Sequence, residues 1–186
     1  MTKNGVVCGR FQIFHYEHLQ YVLAAAQRCE HLIIGVTSPD NTVSPKEKAD
    51  LNRGKKESNP CTYYERMKMI ENVMNEVGVS SDFFDIVPFP IGKPEILSCY
   101  IPQDVCIFLT ILDDWGYCKK ERLERHGYAV QILWEKKEKK ISSTMIRHCI
   151  AAGREWRQYV PNATYQFVLD NKIDIRIRHL LNEGAV

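Results

Sequence analysis

Short apolar runs alternate with longer amphipathic stretches along this chain. Residues 5–8, 31–36, 84–87, 105–109 and 129–133 are apolar runs of strand length. Residues 16–28, 63–76, 118–126 and 144–151 repeat their apolar positions at helical spacing, and more helix follows Ala163. Alternation of this kind predicts an α/β fold, a parallel sheet with helices on both faces, which holds its ligand beyond the carboxyl ends of the strands at a switch point. One long stretch, residues 38–60, lacks periodicity, and its Pro, Lys, Asn and Ser content predicts a mobile loop. Neither an internal repeat nor a separating linker interrupts the pattern. A single domain over residues 1–186 is expected, with a C-terminal helical segment over about 154–186.

Composition narrows the choice of partner. With 186 residues, 45% of them hydrophobic, the chain can bury one good core but not two. Its 25 Lys and Arg against 23 Asp and Glu argue against a surface that coats nucleic acid, and favour a small anion met by a local positive field. The seven cysteines, Cys8, Cys29, Cys61, Cys99, Cys106, Cys118 and Cys149, are odd in number, include no CxxC pair and follow no signal peptide. Reduced thiols, a cytoplasmic location and no protein metal site are therefore expected. No apolar run approaches the roughly 18 residues that span a bilayer, so no membrane partner is expected.

Two segments carry the chemistry. The first, GRFQIFHYEH at residues 9–18, joins an apolar run to a helical stretch, where main-chain N–H groups and the helix dipole attract anions. Gly9 permits a tight exit from the strand, and Arg10 can fork onto phosphate oxygens. His15 and His18, three residues apart, fall on one side of a helical turn. Such a pair can donate to an α-phosphate and stabilise charge on a pentavalent phosphorus and a leaving pyrophosphate, although the same spacing also suits a helix cap or a metal. The second segment, ISSTMIR at residues 141–147, repeats the geometry late in the chain. Ser142 and Ser143 are good N-cap residues, Thr144 falls in the first turn, and Arg147 lies one turn on. Taken as halves of one site, the two segments can hold a triphosphate.

These residues resemble the nucleotidylyltransferase superfamily of the HxGH type, and GRFQIFH is most similar to its nicotinamide mononucleotide adenylyltransferases. LIIGVTS at residues 32–38 resembles that family's second strand, NPCTYYERMKMI at 59–70 its loop-to-helix segment, and ISSTMIR followed by GREWRQYVP its signature helix and closing segment. The resemblance implies a Rossmann-like sheet. It also implies a reaction in which a nucleoside triphosphate gives its nucleotidyl group to a phosphate-bearing acceptor and releases pyrophosphate, with Mg²⁺. By position it implies triphosphate contacts from Arg10, His15, His18, Ser142, Thr144 and Arg147, with Gly9, Phe11, Gln12 and Ser143 completing the nucleotide site. Proteins of this fold commonly assemble, so a homo-oligomer is a further implied partner.

The departures from the family pattern carry as much information. Glu17 stands where the family has a glycine that lets base and ribose approach the helix, and Ile13 replaces the usual proline. The strand VCIFL runs into TILDDWGYCKK, and Asp113, Asp114 and Trp115 are similar to the DDW element of small cytidylyltransferases, such as those acting on glycerol phosphate. There the carboxylates can accept from an acceptor while Trp115 forms an apolar wall, unless the run only caps a helix that starts near Cys118. Arg66 matches a family arginine and joins the acceptor candidates, and Trp134 is a second candidate for stacking. Residues 136–140, with Lys46, Lys48, Arg53, Lys55 and Lys56, can close over pyrophosphate or stay solvated. The expectation is direct attack of an acceptor phosphate on the α-phosphorus, with ATP and nicotinamide mononucleotide as first choice. CTP with a small phosphorylated or phosphonate acceptor is the alternative, and a non-catalytic nucleotide-binding regulator is the third reading.

Overall fold

The computed structural model describes residues 1–38, 55–135 and 140–182. Its strands are β1 (Thr2–Gly9), β2 (Cys29–Thr37), β3 (Phe84–Phe89), β4 (Cys106–Ile111) and β5 (Ala129–Glu135). They form one parallel sheet in the order β3-β2-β1-β4-β5. Around it lie α1 (Tyr16–Ala26), α2 (Tyr63–Glu76), α3 (Asp114–Arg125), α4 (Ser143–Ala151), α5 (Asn162–Asp170) and α6 (Ile173–Asn182). None of the helices in the described residues is long and apolar enough to cross a membrane.

The near-continuous apolar character of the central strands reflects burial on both faces. Val7, Leu32, Ile34, Val36 and Phe108 point into a core closed by α1, α2, α4, α5 and α6. Their neighbours Val6, Cys8, Ile33, Ile107 and Leu109 point into a second core, with Leu97 and the α3 residues Trp115 and Leu123. The two-residue repeat of a strand sorts one apolar run into two cores. Capping carboxylates anchor the C-terminal helices. Glu65 completes a capping box with Thr62 at the start of α2 and pairs with Arg176 of α6 at 2.7 and 2.8 Å. Glu76 accepts from the N–H groups of Asn162 and Ala163, where α5 begins.

One boundary departs from expectation in a way that matters. α3 begins at Asp114, not near Cys118, because the Asp113 side chain accepts the Gly116 N–H at 3.1 Å and caps the helix upstream. DDWG is thus the cap and first turn of α3, with Trp115 only 7% exposed.

The strand order reverses between β1 and β4, and there the sheet opens. β1 pairs with β2 from Thr2 to Gly9, but with β4 only at Gly5 and Val6. Past that point the Tyr21 hydroxyl takes the place of the missing ladder, accepting from the Cys8 N–H at 3.2 Å and donating to the Phe108 carbonyl at 2.5 Å. On the other side of β4 a bulge shifts the register, so that Leu109 opposes Ile132 and Thr110 opposes Trp134. Bulges re-aim side chains, and Trp134 faces the opening beside Tyr21 with ring centroids 6.5 Å apart.

Candidate active site

A cavity of about 260 Å³ occupies this opening, at the carboxyl ends of β1 and β4. The strand-to-helix turn after β1 forms one wall. Phe11 adopts a left-handed backbone (φ 52°) that folds its ring back over Gly9, and a Cβ at Gly9 would lie 2.8 Å from two ring carbons. Glycine is required there by Phe11 itself. The Phe11 ring, 1% exposed, meets His18 edge-on at 5.1 Å, and His18 stacks on His15 with centroids 3.6 Å apart. The imidazole pair is therefore held from beneath by the core.

The second wall is the N-terminus of α4. Ser142 caps it, accepting the Met145 N–H at 3.1 Å. The Ser143 hydroxyl donates to the Ile13 carbonyl at 2.9 Å. Arg147 donates to the Gln12 carbonyl and to the Thr144 hydroxyl. Glu17 adds a link of its own, its Oε1 accepting the N–H groups of Lys140 at 2.8 Å and Ile141 at 3.1 Å. The two segments singled out in the sequence are thus joined by direct bonds across more than 120 positions of chain.

The electrostatics of this junction suit an anion. Arg147 is 4% exposed, and among the described residues it pairs with no carboxylate. Burial, and then the charge of Arg10, push its guanidinium down to about 10. Two cations facing one cavity, together with the main-chain N–H groups of two helix starts, would be relieved by phosphate.

Of the expected nucleotide-site residues, Gly9, Arg10, Phe11, Gln12, His15, His18, Ser142, Ser143, Thr144 and Arg147 all line the cavity. The Gln12 side chain is nevertheless committed elsewhere, bonding both main-chain groups of Cys61 at 2.8 and 3.0 Å. Of the expected acceptor residues, Asp113 and Trp115 line the cavity and Asp114 is exposed outside its lining. Arg66, the remaining expected acceptor residue, lies outside the lining: it is 0% exposed and donates to the carbonyls of Arg10, Thr37, Ser38 and Thr62. Lys46, Lys48, Arg53 and residues 136–139 lie outside the described residues, while Lys55, Lys56 and Lys140 are exposed.

The lining also includes residues that the sequence did not mark as site candidates, among them Tyr21, Thr110, Ile91 and Lys119. Helical spacing was the available signal for two of them. Tyr21 lies three residues after His18 and Lys119 four after Trp115, each pair on one helix face. Arg122 continues the α3 face, its guanidinium 5.3 Å from the Trp115 ring centroid and its Nη1 donating to the Ile91 carbonyl, which holds the indole in place.

Comparison with known proteins accords with this geometry. Residues 6–149 match the model of the family described as cytidylyltransferase-like. The phosphonoformate cytidylyltransferase of Streptomyces viridochromogenes is 44% identical over 96% of this chain and 97% of its own. The nicotinamide-nucleotide adenylyltransferase of Saccharolobus solfataricus is 29% identical over 96% of this chain and 97% of its own. Among solved structures, a bifunctional NMN adenylyltransferase/ADP ribose pyrophosphatase from Francisella tularensis superposes with a TM-score of 0.74 at 20% identity. This chain is covered in full there but spans only 54% of that protein, and the likeness is one of fold. The chain belongs to the cytidylyltransferase-like family of nucleotidyltransferases.

Proposed function

We propose that this nucleotidyltransferase moves a cytidylyl group from CTP to a small phosphonate or phosphate acceptor and releases pyrophosphate. The observation that carries this reading is the 44% identity, over nearly the full length of both chains, with a phosphonoformate cytidylyltransferase. The order of preference drawn from the sequence is thereby reversed, since the matching nicotinamide-nucleotide adenylyltransferase of Saccharolobus solfataricus stands at 29%. Geometry adds support on the acceptor side, where Trp115, Asp113 and Lys119 line a small cavity. An acceptor with a second anionic group would meet the Lys119 ammonium, which makes no ion pair among the described residues.

In the proposed step an ionised acceptor oxygen attacks the α-phosphorus. The new O–P bond forms as the bond to the bridging oxygen breaks, and the electron pair leaves with pyrophosphate. No protein nucleophile and no general base are needed, because the acceptor oxygen already carries charge near neutral pH. Catalysis reduces to alignment and to stabilisation of the triphosphate charge by Arg10, His15, His18 and Arg147. Mg²⁺ enters with the nucleotide as part of the substrate and offsets phosphate charge. Among the described residues no three His, Cys, Asp or Glu side chains gather around a metal position. A cytoplasmic setting, a single functional domain and self-assembly belong to the same proposal.

The test is pyrophosphate release from CTP and from ATP, each with phosphonoformate, glycerol phosphate and nicotinamide mononucleotide. Release with CTP and a small acceptor is expected. Release only with ATP and nicotinamide mononucleotide would favour the adenylyltransferase reading. Nucleotide binding with no release in any combination would favour a regulator.

A further inference from the structure

Glu17 stands in the first segment where the family pattern has glycine, and the structure gives its carboxylate a defined task. Oε1 is fixed by two main-chain N–H groups, those of Lys140 and Ile141. Oε2 has no protein partner among the described residues, and Glu17 is part of the cavity wall. A carboxylate held by one oxygen keeps the other as a fixed acceptor, unable to donate while ionised.

The position of Glu17 relative to the other charges indicates what it faces. Arg10 and Arg147 stand where the two anion-attracting segments join, and so mark the place of the phosphates. Lys119, Asp113 and Trp115 reach the cavity from α3 and its cap, whereas Glu17 and Tyr21 reach it from α1, with Ile141 bonded to Glu17 and Trp134 of β5 against Tyr21. An anionic acceptor is drawn toward Lys119 and repelled by Glu17. A neutral base, flat and partly apolar, suits the side with Trp134 and Ile141.

We propose that Glu17 is a specificity-determining residue that reads the exocyclic group of the nucleotide base. Its carboxylate accepts from an amino group, as cytosine carries at position 4, and repels a carbonyl oxygen, as uracil carries there. The proposal rests on the CTP reading for its choice of base, although its chemistry separates any amino-bearing base from its oxo counterpart. The same side chain also holds the entrance of α4 to α1, so it acts on shape and on recognition together.

The experiment compares kcat/KM for CTP and UTP in the wild type, Glu17→Gln and Glu17→Ala, with hydrogen exchange of the Lys140 and Ile141 amides measured alongside. Glutamine keeps the oxygen that both amides need and must then offer its NH₂ to the base. Glu17→Gln is expected to keep both amides protected while its CTP-to-UTP ratio falls by about tenfold or more, through better use of UTP. Glu17→Ala is expected to lose the protection and to weaken CTP use without improving UTP. An unchanged ratio in Glu17→Gln with intact protection would overturn the base-reading role. Equal exchange of the two amides in all three proteins would overturn the anchoring that aims the carboxylate. Should the wild type use ATP instead, the CTP reading fails but the same comparison runs with ATP and inosine triphosphate, whose bases differ by amino and oxo groups at position 6. Isosteric glutamine keeps the test open if the alanine variant does not fold.

Discussion

The Tyr21 hydroxyl donates to the Phe108 carbonyl at 2.5 Å, in the gap where β1 and β4 cease to pair. A sheet that parts to admit a ligand strands main-chain groups on both lips of the opening, and here one phenol from α1 serves both. Burial holds the Tyr21 phenol well above its ordinary pKa, so it remains a donor across the physiological range. Tyr21→Phe keeps the ring against Trp134 but leaves the Cys8 N–H and the Phe108 carbonyl without their partner. A loss of about 1–3 kcal/mol is expected in urea unfolding. An unaltered Tm would show that water takes over both bonds.

The His18 ring lies against Phe11, Phe14 and His15. His18→Ala is expected to lower turnover by about 10²-fold or more while shifting Tm little. Purified, folded variant with near-normal turnover would refute its place in the proposed step.

Arg147 faces the cavity with its guanidinium held down to about 10 by burial and by Arg10. A polyphosphate relieves both effects, so magnesium pyrophosphate or CTP should raise Tm, by about 2.7 kcal/mol of added stability at a hundredfold excess over Kd. Arg147→Gln retains an N–H for the Gln12 carbonyl but loses the charge. Thermal scans should show a much smaller ligand shift in this variant, with the ligand-free Tm close to wild type.

Alkaline pH provides a different test. Burial, with the Glu65 charge second, pushes the Cys61 thiol up to about 12. The unfolded thiol ionises near its ordinary value of 9.0, so above that pH the unfolded state gives up a proton that the folded state retains. The contribution is therefore complete below about 9 and is lost as pH climbs toward about 12, at up to about 1.4 kcal/mol per unit. Urea unfolding across this window should give a steeper fall for wild type than for Cys61→Ala. Parallel curves would contradict the assignment.

Arg66 is fully buried and its guanidinium satisfies four carbonyls, including that of Arg10. Arg66→Met is expected to cost about 2–4 kcal/mol of stability, by stranding those acceptors. A variant of wild-type stability but weakened acceptor binding would place Arg66 in the acceptor site instead.

Period and order are local properties, and from them the chain by itself determined the βα alternation, the strand cores, the segment of phosphate-attracting turn after β1 and the capped helix at Ser142. Two-residue and three-to-four-residue repeats survive folding because they arise from backbone geometry. Helix-start chemistry was legible for the same reason, except that Asp113 capped earlier than the apolar pattern suggested. Long-range pairing had no such local trace. Only the tertiary structure decided that Glu17 meets Lys140 and Ile141, that Tyr21 bridges Cys8 and Phe108, that a bulge turns Trp134 toward the opening, and that Arg66 donates to buried main-chain carbonyls. An arginine on a helix reads the same whether it faces phosphate or a buried carbonyl, because its partners are supplied by segments distant in the chain and chosen only when the sheet brings them together.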